Sequence, residues 1–132
     1  MNSTVEQSHS TANIEAYIKT HDVKYIADNA VFIDMSSGER HQGRDAIAGM
    51  LHYIYHVAFD AKASIINSII TKDKAMIEGL FEGRHVGSFA GIEPTGKEVS
   101  VPLCVSYTLE NGLIAEARIY MQANVLMDQL KG

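Results

Sequence analysis

The sequence predicts a single α+β domain in which a curved antiparallel sheet wraps around N-terminal helices. Helical periodicity dominates the first half of the chain, and long β-like segments fill the second half. Helices gathered on one face of such a sheet define an α+β domain. Gly79, Gly83 and Gly87 recur within one predicted strand. Because glycine lets strands bend, the sheet is expected to curl and to leave a ligand pocket in its concavity.

Composition limits the classes of function. The chain has 132 residues, the size of one domain, and a net charge of −5. An acidic chain with scattered lysines and arginines argues against nucleic acid or a membrane surface as partner. Its single cysteine, Cys104, fits the reducing environment of the cytoplasm. We therefore expect a cytoplasmic protein whose partner is a small molecule.

Local patterns divide the chain into elements. Residues 1–10 read as a flexible polar lead-in without a signal peptide, and residues 11–132 as one domain. Asp22 is a predicted helix N-cap, and Asn111-Gly112 is a strong hairpin signal. The predicted elements are helices from 11 and at 22–27, a strand at 30–34, a helix at 44–56, strands at 61–71, 75–89, 99–110 and 113–123, and a helical tail at 124–130.

Three segments carry a resemblance to a known family. Residues 83–97, GRHVGSFAGIEPTGK, resemble the G-x-H-x-G-x-F-x-G-x-x-P-T-G-K signature of SnoaL-like polyketide cyclases. Residues 27–34, followed by residues 43–47, are similar to that family's first strand and following helix, and residues 111–130 to its final hairpin and tail. The resemblance implies the nuclear transport factor 2-like fold, a cystatin-like α+β barrel with a cone-shaped pocket. It also implies a cofactor-free cyclase or isomerase that acts on a small apolar carbonyl compound by acid/base chemistry.

One position departs from the family pattern. In the family, an aspartate in R-x-Y/W-x-D on the last strand is the acid/base, and here the matching run ends in Gln122. Glutamine cannot take up a proton at neutral pH. Either the chemistry has moved to another residue, or the protein binds its ligand without reaction. If Gln122 points into the pocket as the family aspartate does, Tyr120 and Arg118 share its face and become ligand-binding candidates.

Two further residues are candidates for proton transfer. His85 is a candidate because histidine is the residue type best suited to proton transfer at neutral pH, and a hydrogen-bonded structural histidine is the alternative. Glu78 lies in an apolar strand, where burial would raise its pKa and make it a base; the alternative is the solvent face of that strand. Asp34, Tyr17 and Tyr55 are candidates for the pocket wall. Their alternatives are a loop-capping aspartate and core tyrosines.

No metal or cofactor is expected. His52 and His56 lie one helical turn apart, which is also a metal-ligand spacing. No third ligand and no H-E-x-x-H pattern accompany them. The sequence therefore predicts chemistry carried by side chains alone.

Three classes of function remain open at this point. They are a cyclase or isomerase, a non-catalytic small-molecule-binding protein, and an assembly module. A pocket that holds His85 and a buried Glu78 would favour the enzyme, and Gln122 favours the binding protein. A homodimer through the convex face of the sheet is expected, with Ile65, Ile69 and Val101 as apolar contacts.

Overall fold

The computed structural model describes residues 3–132, with side chains from residue 8 onward. In this part of the chain, three α-helices pack against one six-stranded sheet. A 3₁₀ turn, Val23–Tyr25, and a π-helical segment, Tyr53–Ala58, complete the connections. The helices are α1 Ser3–Thr20, α2 Arg44–His52 and α3 Ala123–Lys131, and the strands are β1 Ile26–Asp34, β2 Arg40–Gln42, β3 Phe59–Ile70, β4 Lys74–His85, β5 Glu98–Glu110 and β6 Leu113–Met121.

The strands lie in the order β2-β1-β6-β5-β4-β3. Neighbouring strands are antiparallel except β1 and β6, which run parallel. The predicted α+β class is confirmed, but the sheet is mixed rather than purely antiparallel. It is also open, with β2 and β3 as its two edges.

The sheet is curved because β3 passes very close to Gly79 and Gly83 of β4, and the π-helical segment passes equally close to Gly87 after β4. A Cβ atom built on Gly79, Gly83 or Gly87 would lie 2.2–2.3 Å from a backbone oxygen. Real Cβ atoms essentially never come so close to another atom, so a residue with a side chain would push these segments apart. The bend that the glycine spacing predicts is therefore present. The oxygens belong to Ser64, Asp60 and Val57.

All three helices cover the concave face of the sheet. Ile14 of α1 and Ile47 of α2 belong to a core cluster with residues of β1, β4, β5 and β6. Leu126 and Leu130 of α3 pack in a second cluster with residues of β4 and β5. Val101 is fully buried in this second cluster. Its predicted position on the convex face is therefore wrong, because the odd-numbered positions of β5 face the core.

Hydrogen bonds fix α1 across the turns of two hairpins, β3–β4 and β5–β6. Ser10 Oγ donates to the Lys72 carbonyl oxygen at 2.9 Å, and Asn13 Nδ2 donates to the Gly112 carbonyl oxygen at 2.8 Å. Asn111 and Gly112 both have positive φ, 53° and 78°, which confirms the hairpin turn read from the sequence. None of the helices in the described ranges is long and apolar enough to cross a membrane.

Several element boundaries differ from the sequence prediction. Helix α1 already begins at Ser3, within the predicted lead-in, while residues 1 and 2 lie outside the described part of the chain. The predicted helix at 22–27 is only a 3₁₀ turn, which Asp22 caps by accepting the Lys24 N–H at 2.9 Å. It cannot extend further because Ile26 is fully buried and starts β1.

The helix predicted at 44–56 is shorter than expected. It ends at His52, and the backbone widens into the π-helical segment through Ala58. Apolar periodicity continues through both helical forms, so the pattern alone does not reveal the change. The segment carries Tyr55 into the interior, where its ring contacts Phe81.

The glycine contacts predict that two Gly→Ala substitutions change the free energy of unfolding differently. Gly83→Ala should lower the free energy of unfolding by about 1–3 kcal/mol, because its Cβ would overlap the β3 backbone. Gly49→Ala, inside α2 with no atom within 4 Å of its Cβ, should be neutral or stabilising by about 0.5–1 kcal/mol. Urea unfolding measures both variants. Equal effects would contradict the close strand approach.

Candidate ligand-binding site

His85 is a fully buried residue at the end of β4. Its Nδ1 lies 3.1 Å from the backbone nitrogen of Thr95 and 3.0 Å from the Thr95 hydroxyl. A backbone N–H can only donate, so Nδ1 is the acceptor of that bond. The neutral ring consequently carries its proton on Nε2.

The signature loop folds onto this histidine. The backbone N–H of His85 donates to the Lys97 carbonyl oxygen at 2.9 Å, and the Gly96 N–H donates to the His85 carbonyl oxygen at 3.0 Å. Lys97 Nζ in turn donates to the carbonyl oxygens of Leu130 and Gly132, at 3.1 and 2.7 Å. The P-T-G-K motif therefore connects His85 to the C-terminal helix, which is an architectural role.

The second ring nitrogen of His85 is unusual. Within residues 8–132, no atom accepts a hydrogen bond from Nε2, although the nitrogen is completely buried. The Phe59 ring lies 5.2 Å from the His85 ring, centroid to centroid. An unsatisfied buried donor costs about 1–3 kcal/mol, so it is a position where an oxygen of a ligand would gain binding energy.

Three tyrosines from different elements form a second polar group. They are Tyr17 of α1, Tyr55 of the π-helical segment and Tyr107 of β5. The rings of Tyr17 and Tyr107 meet edge to face at 6.2 Å. Burial raises the pKa of Tyr55 to about 12, and burial together with the neighbouring hydroxyls raises those of Tyr17 and Tyr107. All three hydroxyls therefore keep their protons at neutral pH and can donate hydrogen bonds.

His21 completes this group. It follows α1 with a left-handed backbone, φ 53°, and its N–H donates to the Tyr17 carbonyl oxygen. Its ring lies against Tyr55 at 4.1 Å and meets the edge of Tyr17 at 5.4 Å. Burial, and next the charge of His56, lower the pKa of His21 to about 4. The ring is therefore neutral at neutral pH.

No pattern in the sequence singles out His21. A single histidine after a helix belongs to no motif, and helical periodicity ends one residue earlier. Only the backbone conformation and the ring contacts with Tyr17 and Tyr55 reveal its position.

A row of aromatic contacts joins the two polar groups. Tyr55 contacts Phe81 at 5.4 Å, Phe81 contacts Phe59 at 5.2 Å, and Phe59 contacts His85 at 5.2 Å. We call these four residues the aromatic row. It is apolar in the middle, with hydroxyls and His21 at one end and the Nε2–H of His85 at the other. Phe59, Phe81 and His85 are all fully buried, so the row is part of the core. Apolar groups with few polar ones are the usual composition of the lining of a small-molecule site.

The remaining catalytic candidates lie elsewhere. Glu78 and Gln122 are exposed, whereas His85 is inside, so the structure does not bring these three together. The burial that the interpretation of Glu78 as a base requires is not present. Its carboxylate instead faces Asn67 on the outer surface, at 3.4 Å.

Strand β6 shows why Gln122 is outside. Alternation does place Arg118 and Tyr120 on one face, as predicted, but both are exposed and Tyr120 shows 48% of its surface. Arg118 pairs with Glu116 at 3.1 Å. Ala117 lies between Glu116 and Arg118 in the sequence and is fully buried, so its side chain marks the inward face of β6. Arg118 and Tyr120 are expected to line the pocket only if Gln122 points into it. Gln122 does not, and all three side chains are exposed.

Two other predicted positions have local partners. Asp34 accepts hydrogen bonds from the Ser36 N–H and hydroxyl, at 2.9 and 2.6 Å, in the loop after β1. Burial acts to raise its pKa, but the hydrogen bonds from Ser36 and Ser37 outweigh it and lower the pKa. The rings of His52 and His56 lie 5.6 Å apart, and both residues are exposed. No cluster of three or more potential metal ligands occurs in the described part of the chain.

Solved structures share this architecture. A candidate SnoaL-like polyketide cyclase from Jannaschia sp. CCS1 superimposes with a TM-score of 0.87 at 14% identity, over 100% of this chain and 98% of that one. One from Shewanella putrefaciens CN-32 gives a TM-score of 0.78 at 17% identity, with 96% of each chain covered. A Catenulispora acidiphila protein with a ketosteroid isomerase-like fold, in complex with trimethylamine, gives 0.74 at 15% identity, with 92% of each chain covered. At such identities the likeness shows the fold.

No curated protein matches this sequence. The family model for SnoaL-like polyketide cyclases, in contrast, matches residues 13–130. This segment contains α1 from Asn13 onward, the whole sheet and nearly all of α3. The chain therefore belongs to the SnoaL-like polyketide cyclase family.

Proposed function

We propose that this protein binds a small, largely apolar carbonyl compound along the aromatic row and acts on it as a cofactor-free cyclase or isomerase. The observation that carries the proposal is the buried, unpartnered Nε2–H of His85. An oxygen of the ligand would accept this hydrogen bond, while Phe59 and Phe81 contact its carbon skeleton. Membership of the family supports the class of compound.

In this proposal His85 is a hydrogen-bond donor rather than a proton acceptor. Nδ1 accepts the hydrogen bond from the Thr95 N–H, so in the neutral ring the proton is on Nε2. A donor fixed in a dry interior stabilises negative charge that develops on a ligand oxygen, without any cost of reorientation. The signature loop then serves to hold the ring in the required tautomer.

A second candidate function is ligand binding without turnover. It is favoured by Gln122, which replaces the family's aspartate and whose side chain is exposed just before α3. Strand β6 offers no proton acceptor at that position. A binding protein of this kind would use the same aromatic row and the same donor on His85.

Two substitutions of His85 separate its two nitrogens. The amide of asparagine reaches about as far as Nδ1, and that of glutamine about as far as Nε2. His85→Asn should keep the bond from the Thr95 N–H and lose the donor to the ligand. His85→Gln should keep a donor to the ligand and lower the free energy of unfolding by about 1–3 kcal/mol, because the anchor of the loop is lost.

A suitable probe is 6-hydroxy-2-tetralone, because its oxygens lie at opposite ends and either orientation places one beside His85. Its dissociation constant, measured by calorimetry, should rise about tenfold in His85→Asn and change little in His85→Gln. Tetralin has the same skeleton without oxygen, and its weaker binding should be equal in wild type and His85→Asn. Unchanged binding of the ketone by His85→Asn, or absence of binding by wild type, would contradict the proposal.

We also propose that two copies associate through the convex face of the sheet. Ile69 is 72% exposed there and lies opposite Met76, which is 47% exposed. Ile65 does not belong to this convex surface, because it lies before a register shift and opposite Gly79, on the face that the buried residues of β4 share. Exposed apolar groups of this kind favour an interface between copies of the chain.

Ile69→Lys should lower the sedimentation coefficient at micromolar concentration from that of a dimer to that of a monomer, because a charge would enter the interface. Val57→Lys is the matched control, since Val57 is 45% exposed but lies in the π-helical segment before β3. It should sediment like the wild type. A wild-type protein that sediments as a monomer would rule out this interface.

A further inference from the structure

We infer that His21 is the proton acceptor of this site and that the hydroxyls of Tyr17, Tyr55 and Tyr107 bind the oxygen of the carbonyl group beside it. The inference rests on the proposed function. It adds that the substrate carries two oxygen functions, because His21 and His85 lie at opposite ends of the aromatic row. The substrate class is thus an apolar dicarbonyl or hydroxycarbonyl compound whose oxygens are separated by a carbon skeleton.

The position of His21 is well suited to a base. Its ring is held between Tyr55 at 4.1 Å and the edge of Tyr17 at 5.4 Å, and both tyrosines belong to or pack against the core. Within residues 8–132, no side chain or backbone group forms a hydrogen bond with its ring nitrogens. The left-handed backbone and the hydrogen bond to the Tyr17 carbonyl oxygen fix the backbone position from which the imidazole ring extends. A ring nitrogen is therefore free to accept a proton next to hydroxyl donors.

The basicity of His21 matches that of the missing carboxylate. Its pKa of about 4 is close to the ordinary value for aspartate, about 3.9. A neutral histidine just after α1 therefore has the basicity that Gln122, just after β6, lacks. The groups that face its ring are Tyr17, Tyr55 and His56, and both tyrosines stay protonated at neutral pH because their pKa values are raised.

The chemistry balances without a co-reactant. A C–H bond beside the carbonyl group breaks, its proton moves to His21, and its electron pair forms an enolate whose oxygen accepts a bond from a tyrosine hydroxyl. The enolate carbon then either takes a proton at another position, which gives an isomer, or attacks the second carbonyl carbon, which closes a ring. In the second case the negative charge moves to the alkoxide oxygen at the His85 end, where the Nε2–H stabilises it until it takes a proton from water, and His21 gives its own proton back to water.

Proton abstraction can be measured directly on 6-hydroxy-2-tetralone in deuterium oxide. NMR follows replacement of the hydrogens next to the ketone by deuterium, and calorimetry follows binding of the same probe. Wild type should accelerate the exchange over buffer. His21→Gln should lose about 100-fold or more of this acceleration while its dissociation constant changes less than about threefold. His9→Gln, the same change at an exposed site on α1, should behave like wild type.

The pH dependence gives an independent signature. Exchange catalysed by wild type should be constant above about pH 5 and should fall as the pH drops through the pKa of His21, about 4, because a protonated ring cannot accept a proton. The charge of His56 lowers the pKa of His21, so His56→Gln should move this fall to higher pH. Tyr55→Phe keeps the ring contact and should lower the exchange rate about tenfold or more through loss of the hydroxyl.

The outcomes separate the two proposals. If the probe does not bind, the proposed function is wrong. If it binds but wild type exchanges no faster than buffer, or if His21→Gln exchanges as fast as wild type, His21 is not the base, and the binding site along the aromatic row stands. His56→Gln should shift the pH at which the exchange rate falls. If it does not, the assignment of His21 as the base is also wrong.

Discussion

The close approach of β3 to the glycines of β4 is the constraint on which the rest of the fold depends. Because Gly79, Gly83 and Gly87 have no side chains, the β3 backbone and the residues before it can fold over them. The sheet then has one strongly concave face, and α1, α2 and α3 all bury their apolar sides against it. Without this curvature the helices would face a flat sheet, and the tyrosines of α1 and β5 could not meet.

The same enclosure sets the protonation states inside. Removal from water favours the uncharged form of each titratable group. Tyr17, Tyr55 and Tyr107 therefore keep their protons, and His21 loses its proton. Three donors and one acceptor result, all uncharged at neutral pH. This arrangement suits a neutral carbonyl compound, since its enolate gains hydrogen bonds that the ketone makes less strongly.

Much of the fold could be predicted because the relevant signals are local. Positive φ at Asn111 and Gly112 follows from their residue types, and the bend at Gly79 and Gly83 follows from missing side chains. The end of α2 could not be predicted in the same way. Tyr53–Ala58 keeps a helical apolar pattern, and the π-helical backbone that brings Tyr55 against Phe81 leaves no mark in that pattern.

The site was less predictable because it depends on contacts between distant segments. Alternation shows that Arg118, Tyr120 and Gln122 share a face of β6, but it does not show which face is inside. Packing decides this, since Ala117 is buried against the helices. His85 was identified from its place in the signature, but its free Nε2 depends on a bond from Thr95, which lies in the loop beyond β4.

The placement of Gln122 changes how the family resemblance is applied to this chain. Its side chain is exposed at the start of α3, so an aspartate there would be solvated and would have no special access to the concave interior. In this fold, a proton acceptor can lie on any element that borders the concavity. It does not have to lie on one particular strand. The end of α1 borders the concavity, because Asn13 and Ser10 hold that helix across the hairpins and Tyr17 reaches Tyr107 inside. The proposed base, His21, follows α1 and packs against Tyr17 and Tyr55, so the proposal requires no carboxylate at position 122.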